Sequence, residues 1–165
     1  MTLSYTLKST AAQMLPALVG LLKKAAMHFE EKGVDESVWL GARLAPDMHP
    51  LTRQVQMACD GVVRPSARLS GADMPSFPDT ETTVAELIDR IERSAAFVAG
   101  TDAAAMDANE DATLTIPLGP MTAEWQGGFY VTAMVIPNFM FHVTTTYALL
   151  RMQGVEVGKR DYLGL

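Results

Sequence analysis

The chain has 165 residues, 48% of them hydrophobic and 19% charged, with a formal net charge of −6. That length suits one domain spanning residues 1–165, and that apolar fraction excludes disorder along the whole chain. The acidic balance and the lack of any Lys/Arg-rich face exclude a nucleic-acid binder, because neutralising phosphates needs such a face.

Residues Met1 to Lys8 lack the basic, apolar and small-residue regions of a signal peptide. The first helix is predicted from about Ser4 to Lys32. Leu7, Ala11, Met14, Leu18, Leu21, Ala25 and His28 recur in steps of four and three, and Leu15, Leu22 and Phe29 widen the stripe. Pro16 removes a backbone donor and predicts a kink, and Gly33 is the stop. Val34 to Ala45 reads as a connector with one helical turn at Glu36 to Leu40, its Trp39 and Leu44 closing the bundle end. Pro46-Asp47 reads as the start of a second helix with Met48, Leu51, Val55, Cys59 and Val62 inward, kinked or ended at Pro65 and finished by Gly71.

Cys59 is the only cysteine, which excludes an internal disulfide and fits a reducing, cytoplasmic setting. Within its apolar stripe it reads as a small core residue. A polar, proline-containing loop, 71–81, leads to the third helix. There Thr83 and Glu86 have the spacing of a capping box, and Val84, Leu87, Ile88, Ile91, Ala95 and Val98 form the cleanest stripe. From Thr101 to Gly128 the pattern is irregular, with an acidic stretch (Asp102, Asp107, Glu110, Asp111) read as solvated loop. Thr113 to Pro117 reads as a short strand, with Glu124-Trp125 pairing back.

The last helix is expected over about Gly128 to Gln153. Pro137 allows two forms: one long kinked helix, or an extended 130–136 segment with Pro137 at the first helical position. Phe129 to Leu150 comes closest to a membrane span but carries six polar residues, so it reads as the central bundle helix rather than a membrane segment. The tail, 155–165, carries Val155, Val157, Tyr162 and Leu163 and is expected to pack. The whole is therefore all-α: a four-helix bundle with a short irregular or hairpin-like insertion before the last helix.

Bundle proteins build sites from inward side chains on facing helices. Asn138, His142 and Thr146 form a polar strip at helical spacing within an otherwise apolar segment, and buried polar groups need partners. Three readings stay open: a satisfied core histidine, a small-ligand pocket between the second and last helices, or a metal site. Only three histidines exist, His28, His49 and His142. His49, near the start of the second helix, is the second candidate ligand. Asp47, Arg53 and Gln54 could add polar groups at a pocket mouth. There is no G-x-S-x-G, no glycine-rich phosphate loop and no H-E-x-x-H.

Two long stretches, Leu44 to Asp60 (LAPDMHPLTRQVQMACD) and Pro137 to Arg151 (PNFMFHVTTTYALLR), resemble a domain-of-unknown-function branch of the DinB/YfiT-like bundles, and the tail Gly154 to Gly164 fits as well. The resemblance covers nearly the whole chain. It implies a four-helix bundle, often a homodimer, with a cleft between the second and last helices. In the wider superfamily that cleft holds a divalent metal, zinc or nickel for example, on three histidines. The members with known activity are thiol-dependent transferases or isomerases. The superfamily's last helix carries a histidine pair four residues apart, whereas here Thr146 follows His142. The resemblance would supply His142 and His49 as metal ligands, while the polar strip and the start of the second helix offer His142, Asn138, Thr146 and Gln54 as the lining of a small-molecule pocket.

Overall fold

The computed structural model describes all 165 residues. Four long helices make the bundle: α1 (Leu3–Glu31), α3 (Leu51–Ser70), α4 (Val84–Gly100) and the run ending in α7 (Ile136–Met152). Around the bundle the order is α1–α4–α3–α7, so α1 and α3 lie on a diagonal. A single apolar cluster of 34 buried residues fills it, and this cluster includes Ile116 of the hairpin and Val155 and Val157 of the tail. Hairpin and tail are thus parts of the same core.

The helix ends follow local chemistry. Thr2 caps α1 by accepting from the Tyr5 N–H, and α1 continues through Pro16. Gly33, at φ 63°, turns the chain out of it, a conformation that favours glycine. The short helix α2 (Glu36–Leu40) places Trp39 in the core, stacked on Phe29 at 5.0 Å, whereas Leu44 stays exposed. At α4 the capping box is complete: Thr83 accepts from the Glu86 N–H, and the Glu86 carboxylate accepts from the Thr83 N–H.

Two expectations need correction, and one open alternative is decided. The second long helix begins at Leu51, with Pro50 as its N-cap residue, so Asp47 caps nothing and Met48 and His49 precede the helix. The alternative start loses because the chain is tied further back, by the Leu51 N–H to the Ala42 carbonyl at 3.0 Å and by the Thr52 hydroxyl to the Leu40 carbonyl at 3.2 Å.

The acidic stretch after α4 is not simply solvated loop. Asp102 caps a short helix, α5 (Ala103–Asp107), and Asp107 accepts from both the backbone N–H (2.8 Å) and the hydroxyl (3.0 Å) of Ser4.

Of the two forms open for residues 130–136, the structure has the helical one. α6 (Gly127–Phe129), a π-helical stretch (Tyr130–Val135) and α7 run on as one 26-residue helix. Pro137 has no N–H to give and its ring crowds the preceding turn. The chain answers with one wide turn, in which the Ile136 N–H reaches back five residues to Val131. By length and composition this helix could cross a membrane; here its inner side packs on α3.

The insertion is an antiparallel hairpin, β1 (Thr113–Leu118) and β2 (Met121–Gln126), with Leu114 opposite Trp125 and Thr115 opposite Glu124. The tail ends in α8 (Lys159–Leu163), which packs against α1.

Candidate functional site

α3 packs closely and antiparallel on α7 and the π-helical stretch before it, with Gln54 meeting His142, Gly61 meeting Asn138 and Arg68 meeting Tyr130. Gly61 permits this approach, since a Cβ there would already lie 3.4 Å from the Asn138 side chain and 3.7 Å from the Phe139 backbone. Beside this seam runs a cleft of about 280 Å³, closed on its third side by Ile116, Pro117 and Leu118 of β1. His142 and Asn138 line it, with Met57, Pro65, Met134 and Val135 as its apolar surface. A larger, shallower depression of about 660 Å³ lies across Arg64 and Arg68, under residues 71–77, and no histidine lines it.

His142 is 4% exposed, and its Nδ1 lies 2.8 Å from Gln54 Oε1. Gln54, itself 1% exposed, gives its Nε2 to the His49 carbonyl at 3.2 Å. That second bond fixes the first. A carbonyl only accepts, so the Gln54 amide nitrogen must face His49 and its oxygen must face His142. His142 therefore carries its proton on Nδ1. Its Nε2 has no hydrogen-bond partner in the protein, and with the ring lining the cleft its lone pair is left for an occupant. Burial, with smaller contributions from the charges of His49 and Arg53, holds the His142 pKa below its ordinary value, so the ring is neutral at pH 7.

The other candidates separate. Asn138 is half-buried at the cleft. Thr146 is fully buried but does not line it; its hydroxyl donates to the His142 carbonyl at 2.9 Å, a back-bond within its own helix. Gln54 is not at a solvent-exposed mouth but behind His142, acting through it. His49 is exposed and contributes its backbone carbonyl. Nowhere do three or more His, Cys, Asp or Glu side chains converge as a metal site would need, so these residues do not fit the three-histidine ion that the resemblance implied. The Nδ1–H to carbonyl bond is how metal-ligating histidines are usually held, but here that histidine stands alone. Cys59 is fully buried, and burial pushes its thiol up to about 12, the state of an inert core residue.

A second polar group lies on the other flank of α3, and sequence reasoning missed it. Arg90 is fully buried, its guanidinium held by Asp60 (2.8 Å), Asp79 (3.0 Å), Glu81 (3.0 Å) and the Pro78 carbonyl (3.2 Å). Gln56 donates to Glu81 at 2.9 Å, and Arg53 pairs with Asp79. This network fastens the 71–83 connection to the bundle. The only signal in the sequence is that Arg90 stands next to Ile91 on the α4 stripe.

The family described as domain of unknown function DUF1993 matches residues 5–163. A crystal structure of a DinB family member protein from Shewanella denitrificans is similar over 99% of this chain and 92% of that one, at 39% identity and a TM-score of 0.90. No curated protein matches.

Proposed function

This chain belongs to the DUF1993 family, with the DinB-like helical fold, and from that premise we propose that it is a binding domain for a small organic ligand in the α3–α7 cleft. The observation that carries this reading is His142: buried, neutral, fixed in one tautomer by Gln54, with its Nε2 lone pair unmatched beside an open volume. His142 Nε2 is not itself fully buried, so it reaches the open cleft as an acceptor, where the donor of a ligand can take the place of water. Asn138 stands beside it, and the apolar lining supplies contact area.

Transferase or isomerase chemistry on a metal-bound thiol is the alternative implied by the superfamily, and the donor set gives it no support. The test is a fragment screen by NMR on isotopically labelled protein, repeated on Met57→Trp, which fills the cleft. Binders whose shifts map to Asn138, His142 and Ile116 and vanish in the variant support the reading. A screen whose binders all map elsewhere refutes it.

A second surface favours self-association. Phe129, Ala133, Pro137, Phe141 and Thr144 follow one another along the exposed side of the last helix, and Phe129 and Phe141 are each 54% exposed. No Asp, Glu, Lys or Arg occurs between Glu124 and Arg151. Such a face suits an isologous homodimer, which buries the same patch on both copies. Light scattering of Phe141→Lys beside the parent chain tests it: a dimer converted to monomer supports this reading, and a monomeric parent removes it.

A further inference from the structure

The charges around the cleft are unequal in a way that bears on its occupant. Arg53 is engaged by Asp79 and Gln56, and Arg64 is paired with Asp60 at 2.8 Å. Arg68 has no carboxylate partner. It donates to the Tyr130 hydroxyl at 3.0 Å and lies over the Tyr130 ring, 5.9 Å from its centre. Tyr130 is buried and faces the indole of Trp125 at 6.5 Å, so the guanidinium of Arg68, itself an exposed residue, rests on an aromatic pair at the cleft rim. A pre-positioned, unneutralised guanidinium is a carboxylate receptor in waiting.

Arg68 and His142 stand at opposite ends. Tyr130 and His142 are twelve residues apart on one helix, at most about 18 Å at the α-helical rise and somewhat less here because residues 130–135 are π-helical. Between them the lining is Met57, Pro65, Met134 and Val135 on the helices, with Ile116 and Leu118 of β1 over it. An open cleft of about 280 Å³ whose lining reaches from Arg68 to His142 suits an extended chain better than a compact ring system. Methionine walls adapt to such chains.

We propose that the ligand of this cleft is an extended aliphatic carboxylate with its carboxylate on Arg68, its chain along the cleft past Met57 and Met134, and a hydroxyl or amide donor at its far end bonded to His142 Nε2. This rests on the binding function proposed above and names its ligand class.

The test is calorimetry on the full chain with three probes of equal chain length: ω-hydroxydodecanoate, dodecanediol (no carboxylate) and dodecanoate (no terminal donor). The first is expected to bind one per chain, and the diol about ten-fold more weakly, as losing one charged hydrogen bond implies. Dodecanoate is expected to fall between them. In Arg68→Gln the preference for carboxylate over diol should disappear. In His142→Gln the preference for the terminal hydroxyl should fall while the carboxylate preference stays. Thermal melts of both variants establish that they fold, and Arg68→Lys should recover part of the preference.

Equal binding of diol and hydroxy acid, or a carboxylate preference that survives Arg68→Gln, overturns the proposal while leaving a cleft that binds neutral ligands. If no probe binds and the fragment screen also finds nothing in the cleft, the binding function falls with it.

Discussion

Arg90→Leu is the substitution whose cost can be argued most closely from the geometry. Its side chain has no exposed surface, and it answers three carboxylates whose own side chains are 14% (Asp60), 40% (Asp79) and 7% (Glu81) exposed. Leucine fills much of the aliphatic volume, so the main loss is electrostatic. Glu81 and Asp60 would be left with little water and no guanidinium, which is the costly half of a buried ion pair. Removing one partner of such a pair destabilises by about 3–5 kcal/mol. That is a large part of the roughly 5–15 kcal/mol that holds a domain folded. For a chain of this size each kcal/mol moves the melting temperature by about 2–4 °C, so a drop of about 6–20 °C is expected.

Asp79→Asn is the internal control, because Asp79 is exposed enough for water to take over and should cost no more than about 1 kcal/mol. Urea unfolding followed by circular dichroism measures both, and hydrogen exchange should show residues 71–83 losing protection first in the Arg90 variant. If Arg90→Leu were as stable as the parent within about 1 kcal/mol, the network would not be what fastens that connection, and the reasoning would be wrong.

Other outcomes follow from single contacts. His142 has its pKa lowered by burial, with His49 and Arg53 adding to it, so in mild acid the unfolded chain binds a proton that the folded chain refuses. Its contribution is therefore fully present above about pH 6.5 and is lost as pH falls from there toward the folded value. Chemical denaturation of the parent and His142→Gln between pH 7.5 and 5 should show the parent losing more, the assay window being roughly that of histidine titration. Asp35, Glu86, Asp107 and Asp161, held low by hydrogen bonds, lose their contributions only further into acid. Gly127→Ala would drive a Cβ to 2.1 Å from the Asn109 carbonyl oxygen, a backbone atom that cannot swing away. A loss of about 1–3 kcal/mol or more in a thermal melt is expected, with the hairpin junction displaced. Cys59 should resist maleimide at pH 8, a rough working value for thiol labelling, until denaturant opens the core, given its burial and raised pKa.

What could be read from the sequence was what local periodicity and capping determine. The stripes of α1 and α4, the Thr83–Glu86 box and the Thr113 strand depend on residues a few positions apart, and they stand where the pattern put them. The start of α3 did not, because Pro46 and Pro50 send the same local signal and the choice between them is made by bonds to α2 and the residues just after it. The β-branched run before Pro137 left helix and strand open. Continuation of the helix leaves Tyr130, Val131 and Val135 buried, and the wide turn absorbs the proline.

At the site, His142 was visible as a polar residue in an apolar stretch. Its partnership with Gln54, 88 positions away, depends on the register of α3 against α7, which no short-range pattern encodes. The parting of Thr146 from the cleft has the same origin, since a threonine on a buried face can satisfy itself on its own helix. Arg90 looked like any charge beside a helical stripe, and only three acidic groups arriving from α3 and the following connection explain its burial.

The protonation state of one ring decides the most. Nitrogen-15 NMR of the His142 imidazole at neutral pH reads its tautomer directly. The predicted result is a neutral ring protonated on Nδ1, with that proton protected from exchange in the parent and exposed in Gln54→Leu. An Nε2-protonated ring, or a doubly protonated one at pH 7, would contradict the acceptor role assigned to His142 and with it the reading of the cleft as a ligand site.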